Sequence, residues 1–323
     1  MEGITLHFFF SFNVYNNNKM KEDTIITHNG IAHVDDFLSC CVLLAKERSI
    51  KKIIRLPSNK TTVDSVKSEG KLFFVDIGRQ FNPKLCLFDH HQISNDLCLC
   101  SFNLLIKHYY NIDYNEQSKI IPQAAFIGHA DTNGISNALK SFIPSIAKGE
   151  IDSSCILPIS SLIEFSILSW FASSSEVNST ELLFSLMKTI GDIIDNYITA
   201  RKDFYKNISS MNVMSLGNDI YAIDMVIQKG FTDIIDAYFL ERSLHPKILI
   251  SRSSQNPKQW CATRRITSID FRKCKSKAIS FIHNTGFFIA FEENTQIDTI
   301  VSIFNIFNQK NRKVNNARLN RAK

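Results

Sequence analysis

Glycine is scarce in this chain: there are eleven among 323 residues, and none falls in a GxGxxG or GxxxxGK pattern. Dinucleotide-binding turns and P-loops need glycine where the backbone passes close to phosphate, so both readings lack their mechanical parts. Cysteine occurs eight times but is scattered, often inside apolar runs such as Cys40-Cys41, with no CxxC ladder. That usage excludes a secreted disulfide framework and fits a reducing compartment. Long hydrophobic runs are missing too. The early LHFFFSF is too short to span a membrane, with no basic segment before it and no small-residue cleavage site after it. Residues 1–20 are therefore expected to be a flexible leader, with Met20 after NNN as an alternative start.

Diffuse positive charge is also absent. The net charge is +6, and Lys310, Arg312, Lys313, Arg318, Arg321 and Lys323 supply six positive charges without an acid, leaving 6 − 6 = 0 for everything before them. A basic tail can contact a polyanion or an import receptor, and it equally serves as a solvated, solubilising end. The body of the chain offers no broad electropositive track of the kind long nucleic acids require.

What is present is an ordinary soluble composition, 44% hydrophobic and 21% charged, at a length that favours two domains. From residue 24 short β-rich runs alternate with helical ones: TIIT, then the helix DDFLSCCVLLAKE, then IIRL at 53–56, a helix starting near Thr61-Thr62, LFFVDI at 72–77, and LCLF at 85–88. Strands that are apolar throughout and separated by helices predict a parallel α/β sheet. Helical segments follow near 99–109 and 118–129, then HADTNG reads as a polar turn and 141–158 as a loop. A long amphipathic helix is predicted from Glu181 to about Tyr205. Beyond residue 210, VMSL, IYAIDMVI, KILIS, CATRRITSI and AISFIH read as strands and DTIVSIFNIFNQ as a closing helix, giving a smaller α+β domain.

Four polar interruptions stand where an element gives way to a loop: His28, His33, Asp35 and Asp36 in ITHNGIAHVDD; Asp76 in FFVDIG; Asp89, His90 and His91 in FDHHQ; and Asp131 in GHADTNG. In an open parallel sheet the carboxyl ends of the strands share one edge, where ligands bind. Carboxylate with imidazole suits Mn²⁺, Fe²⁺ or Mg²⁺, and no cysteine in these turns argues for a thiolate site. Asp76, entered from apolar residues, would be costly as an unpaired buried charge, and bridging two cations would stabilise it. Ordinary roles compete: Asp35 or Asp36 as a helix cap, Asp131 as a turn former, Asp-His-His as a solvated turn. His7, His108 and His245 gain nothing from their spacing and read as structural.

ITHNGIAHVDDFLSC, FFVDIGRQFNPKLCLFDHHQ and GHADTNGI, in this order, resemble the melanocyte-proliferating-gene family within the DHH phosphoesterase superfamily. The resemblance implies a DHH-type parallel-sheet catalytic domain over 21–160, a helical linker region over 161–206 and a substrate-binding domain over 207–323. It further implies two divalent ions, Mn²⁺ first and Mg²⁺ second, held by His28, His33, Asp35, Asp76, His90 and Asp131. His91 would contact the scissile phosphate, Asp89 would orient it, and Asp36 stands at the family's usual glutamate position as a base or orienter.

His283 and Gly286, with Arg264, Arg265 and Trp260, are the substrate-side candidates, Trp260 either stacking on a base or packing in the core. The departures lie on that side. Leu162 and Ile167-Leu168 stand where the family has an arginine and an Asn-Pro pair, ITSIDFRKCKSK is shortened, and HNTGFFIA lacks a following glycine pair. The implied activity is 3′-to-5′ exonucleolytic hydrolysis of single-stranded RNA or short oligonucleotides to 5′-nucleotides. The alternatives are a small-molecule phosphoesterase or pyrophosphatase, and a nucleic-acid-binding protein with reduced catalysis. An intracellular protein is expected, in nucleus, cytoplasm or mitochondrion, with no membrane partner and with a homodimer as an admissible assembly.

Overall fold

The computed structural model describes residues 22–58, 63–94, 97–147, 162–208, 210–211, 213–227 and 230–305. The leader, the basic tail, the Thr61-Thr62 cap and residues 148–158 of the 141–158 segment lie outside the described residues. The chain divides into two compact units, one comprising 1–112, 127–135 and 158–196, the other 113–126, 136–157 and 197–323. Both are mixed α/β, each with a six-stranded sheet.

In the first unit β1 (Asp23–His28), β2 (Ile50–Leu56), β3 (Leu72–Val75), β4 (Phe81–Asn82), β5 (Leu87–Phe88) and β6 (Glu176–Asn178) lie in the order β4-β5-β3-β1-β2-β6. The four central strands are parallel, and β4 and β6 close the edges antiparallel. The pleat sends Ile25, Ile53, Phe73, Val75 and Phe88 to one face, where they meet Phe37, Cys40, Cys41 and Leu44 of α1 (Val34–Lys46) and Leu183, Phe184 and Met187 of α7 (Leu182–Ile208). Ile26, Ile54, Phe74 and Leu87 face the other way, against Val63 and Val66. Burial on both faces is why these strands read as continuous apolar runs.

Three expectations change. Between β2 and β3 the described residues form a single 3-10 turn, Val63–Ser65, not an α-helix. The segment is rich in β-branched residues and serine, which favour extended and turn conformations. HADTNG is not a turn: residues through Asn133 belong to α4 (Pro122–Asn133), and Gly134, at φ +80°, follows as its left-handed terminator. The start of the 141–158 segment is helical, within α5 (Ile135–Ala147). The remaining helices of this half of the chain are α2 (Ser101–Tyr110), α3 (Tyr114–Ile120) and α6 (Leu162–Ser173).

The second unit contains β7 (Val213–Ser215), β8 (Ile220–Val226), α8 (Thr232–Glu241), β9 (Ile248–Arg252), β10 (Trp260–Arg264), β11 (Ile279–Ile282), β12 (Phe288–Phe291) and a closing helix, α9, over 297–305. Its sheet runs β11-β12-β10-β9-β8-β7, antiparallel except for β8 and β9, which α8 joins as a parallel crossover. The α9 residues Ile300 and Phe304 cover one face, over Ile250, Ala262, Ile289 and Phe291. Among the described residues no helix is long and apolar enough to cross a membrane, and the seven cysteines are free thiols.

Candidate metal centre

Because β5, β3 and β1 are neighbours and parallel, their carboxyl ends deliver His28, Asp76 and Asp89-His90-His91 to one edge of the first unit's sheet. Asp76, immediately after β3, adopts φ +55°, the left-handed conformation that aspartate tolerates better than most residues. The first turn of α1 adds Asp35 and Asp36, and the last turn of α4 adds Asp131. Gly128 sets the approach of α4. A Cβ there would sit 2.2 Å from the Cys98 carbonyl oxygen and 2.6 Å from Asn103 Oδ1.

His28 Nε2 lies 3.2 Å from Asp36 Oδ2 and 3.3 Å from Asp76 Oδ2. His90 Nε2 lies 3.1 Å from Asp76 Oδ1 and 3.1 Å from Asp131 Oδ2, and His33 Nδ1 is 3.8 Å from Asp131 Oδ1. Asp76 is therefore shared between two histidines on opposite sides, and the Ser101 hydroxyl also donates to it at 3.2 Å. Three sets offer ligand atoms within 4.8 Å of one another: His28, His33 and Asp76; Asp76, His90 and His91; His33, Asp35 and Asp131. The six residues expected to ligate thus lie together, in overlapping sets that His91 joins.

Asp89 is a buried organiser. It accepts the Arg79 backbone N–H at 2.7 Å, the His91 N–H at 2.9 Å and faces His91 Nδ1 at 2.7 Å. That commits one ring nitrogen of His91 and leaves Nε2 for another partner. Asp36 belongs to none of the three sets; it stands between His28 and Arg55, whose Nη2 is 3.8 Å from Asp36 Oδ2. Arg55 is wholly buried. Its Nη1 donates to the carbonyls of Gly30, Phe171 and Ala172 at 3.3, 3.1 and 2.8 Å, and its guanidinium lies 4.7 Å from the Phe171 ring centre. It ties the His28–His33 loop to the end of α6. Sequence reasoning passed over it, although a lone arginine inside IIRL was a visible sign of a buried cation.

The electrostatics describe a site short of positive charge. Burial pushes the Asp35 carboxyl well above the usual range, reinforced by Asp76, Asp131 and Asp36. Both Asp35 oxygens are buried without a hydrogen-bond partner. Burial likewise raises Asp36 and Asp131, against the pull of the histidines. Asp76 goes the other way: burial opposes ionisation, but His28 and His90 outweigh it and hold the carboxyl far below the ordinary range. Burial works against the His28 imidazolium, yet Asp36 and Asp76 push its pKa up to about 11. His90 is raised against its burial by Asp76 and Asp131, and His91 chiefly by its bond to Asp89. Four carboxylates and their imidazoles converging on bare oxygens fit divalent cations of the Mn²⁺ or Mg²⁺ kind, because an unpaired buried carboxylate is otherwise expensive.

The substrate-side candidates all lie in the second unit. Trp260 is 5% exposed within that unit's core, with the Arg252 guanidinium 3.7 Å from its ring centre. Arg264 donates to the Ile269 carbonyl at 2.6 Å, and Arg265 pairs with Asp236. His283 Nδ1 accepts the Thr285 backbone N–H at 3.3 Å and faces Thr285 Oγ1 at 2.9 Å. Gly286 has φ +69°, and a Cβ there would lie 2.0 Å from Asp270 Oδ1, so the His283–Gly286 turn has no room for a side chain.

Residues 24–117 match the sequence profile described as Uncharacterised protein family (UPF0160), the MYG1 exonuclease family. The MYG1 exonuclease of Mus musculus is 38% identical over 77 residues, covering 24% of this chain and 19% of that protein. The MYG1 protein of Dictyostelium discoideum is 34% identical over 99 residues, 28% of each chain. The matched stretch thus spans less than a third of the length of either relative.

Proposed function

We infer the activity from one premise: through residues 24–117 this chain belongs to the MYG1 family. On that premise it is a divalent-metal-dependent phosphodiesterase of the DHH type, a 3′-to-5′ exonuclease that shortens single-stranded RNA or short oligonucleotides to 5′-nucleotides. The observation that carries the reading is the Asp35 carboxylate, buried with both oxygens unpartnered beside Asp131 and His33. A structural aspartate would be capped or paired. One left bare among other carboxylates is built for a cation.

His28, His33, Asp35, Asp76, His90 and Asp131 would hold two ions, with Mn²⁺ favoured and Mg²⁺ second. When bound, the ions supply Lewis acidity at phosphorus and lower the pKa of water. The protein's own contributions follow from its contacts. Asp76 serves both halves of the site through its two oxygens, presented from a left-handed backbone position just past β3. Asp36, braced by Arg55, orients His28. Asp89 fixes the His91 ring, so that Nε2 donates to a nonbridging phosphate oxygen. In the second unit, the Thr285 backbone N–H donates to Nδ1 of His283, which leaves Nε2 for another partner.

Incubating purified protein with Mn²⁺ and 5′-end-labelled single-stranded RNA tests the reading. A ladder of stepwise-shortened products, abolished by His90→Ala, is expected. Absence of cleavage of RNA, DNA, dinucleotides and pyrophosphate, in protein proven by elemental analysis to hold metal, would sink it.

A further inference from the structure

The second unit's sheet is covered on one face by α9, but among the described residues its other face is only partly covered. There α8 reaches Ile223 and Leu249 through Ile235 and Phe239, and the surface beyond is left as a recess of about 650 Å³. The strand register explains its shape. Phe281, Ala290, Cys261 and Ser251 stand opposite one another across β11, β12, β10 and β9, and Thr263 pairs with Phe288 in the adjoining row. Directly paired residues share a face. Three small side chains therefore make a floor beside two phenylalanine rings whose centres are 6.3 Å apart.

Phe281 is 51% exposed, an unusual position for a phenylalanine on a strand. Leading into β11, residues 270–277 carry Arg272, Lys273, Lys275 and Lys277 against Asp270, a local balance of 4 − 1 = +3. Arg272 is engaged with Asp270, so the remaining positive charge belongs to the lysines. A half-exposed ring, a floor of small residues and lysines along the approach complement a polyanion that bears flat apolar rings. An apolar peptide would use the rings but not the cations.

We propose that this recess is a nucleobase site for single-stranded nucleic acid: one base stacks on Phe281 over the Ala290–Cys261 floor, and the flanking phosphates lie toward Lys275 and Lys277. The assignment rests on the nuclease reading for its reason to bind nucleic acid, and it differs from the Trp260 expectation in naming the ring that is accessible.

Fluorescence anisotropy of the full chain, kept metal-free with EDTA so that nothing is cleaved, provides the test. The probes are a short labelled oligoadenylate and an abasic strand of the same length. Base stacking predicts that Phe281→Ala weakens oligoadenylate binding by about 5- to 100-fold, that Phe281→Trp retains it, and that abasic binding changes in neither variant. Lys275→Ala with Lys277→Ala should instead weaken both probes and reduce the salt dependence. Equal loss on both probes in Phe281→Ala, or no binding of oligoadenylate by the wild type, overturns the proposal. So does a Phe281→Ala variant that loses only self-association, since the face would then be a contact between copies of the chain. Because the readout is binding, a protein that binds with the predicted ring dependence but cleaves nothing refutes the nuclease reading alone.

Discussion

Replacing Asp35 by asparagine should change the stability of this protein in opposite directions with and without metal. The substitution keeps the shape of the side chain and removes only its charge, so no cavity confuses the result. In the metal-free protein Asp35 and Asp131 hold their carboxylate oxygens within 4.8 Å. At that separation, with an effective dielectric constant near 20, an ionised pair repels by about 3 kcal/mol. The His90 imidazole, 3.1 Å from Asp131, offsets part of this. A net gain of about 1–2 kcal/mol is therefore expected for Asp35→Asn in EDTA.

The gain should also depend on pH. A carboxyl whose pKa is raised on folding makes the folded state bind more protons than the unfolded one, so it costs stability as pH rises above the unfolded value of 3.8. The advantage of asparagine should accordingly be small near pH 4 and grow toward neutrality. With Mn²⁺ the sign reverses. Losing a direct ligand should cost at least the roughly 100-fold in affinity seen for outer-shell partners, which removes about 3 kcal/mol of ligand-linked stabilisation. Urea unfolding of both proteins, in EDTA and in saturating Mn²⁺ at several pH values, reads all of this. If Asp35→Asn destabilises the metal-free protein, or shifts the midpoint equally in both conditions, Asp35 is an ordinary structural acceptor and the metal assignment loses its main support.

Three further outcomes are expected. His28 has its pKa raised from 6.5 to about 11 by Asp36 and Asp76 against its burial, so its contribution to metal-free stability is complete below about pH 6.5 and is lost as pH rises toward 11; the urea midpoint should fall across that window, and His28→Gln should flatten the fall. His90→Ala should lower bound metal by elemental analysis, whereas His91→Ala should retain it and reduce turnover, since Asp89 engages His91 Nδ1 at 2.7 Å. Arg55→Met should cost about 3–5 kcal/mol in urea unfolding, because it strands a buried aspartate and three carbonyls; Arg55→Lys should rescue little, and a loss within error of zero would mean that the guanidinium braces nothing.

The parts of the site legible in the sequence were those where chemistry interrupts a hydrophobic run. Asp76 after LFFV and Asp89-His90-His91 after LCLF stand out because no apolar strand needs them, and parallel topology then brings their strand ends together. Asp131 was legible as a residue but not as structure. HADTN reads as turn chemistry, yet packing of Gly128 and termination at Gly134 keep it helical. The helix sought near residue 61 rested on a cap signal with little apolar periodicity behind it. In α8, by contrast, Ile234, Ile235, Tyr238 and Phe239 carry a helical period that was present but overlooked among strand-like neighbours. Arg55 stood out as a lone arginine in IIRL, but its partners did not: two of the carbonyls it braces lie more than 100 residues away, and no local pattern encodes that.

Gly128 turns an absence into a gauge. Because α4 rests directly on the Cys98 carbonyl and the Asn103 side chain, the helix surface at that point is bare backbone, and the gap across which Asp131 reaches His90 is fixed by the thickness of a peptide group. A single methyl at residue 128 would act as a shim. It would lift the carboxylate away from its imidazole partner without touching either one, so the spacing of this centre could be retuned from a position that carries no functional group at all.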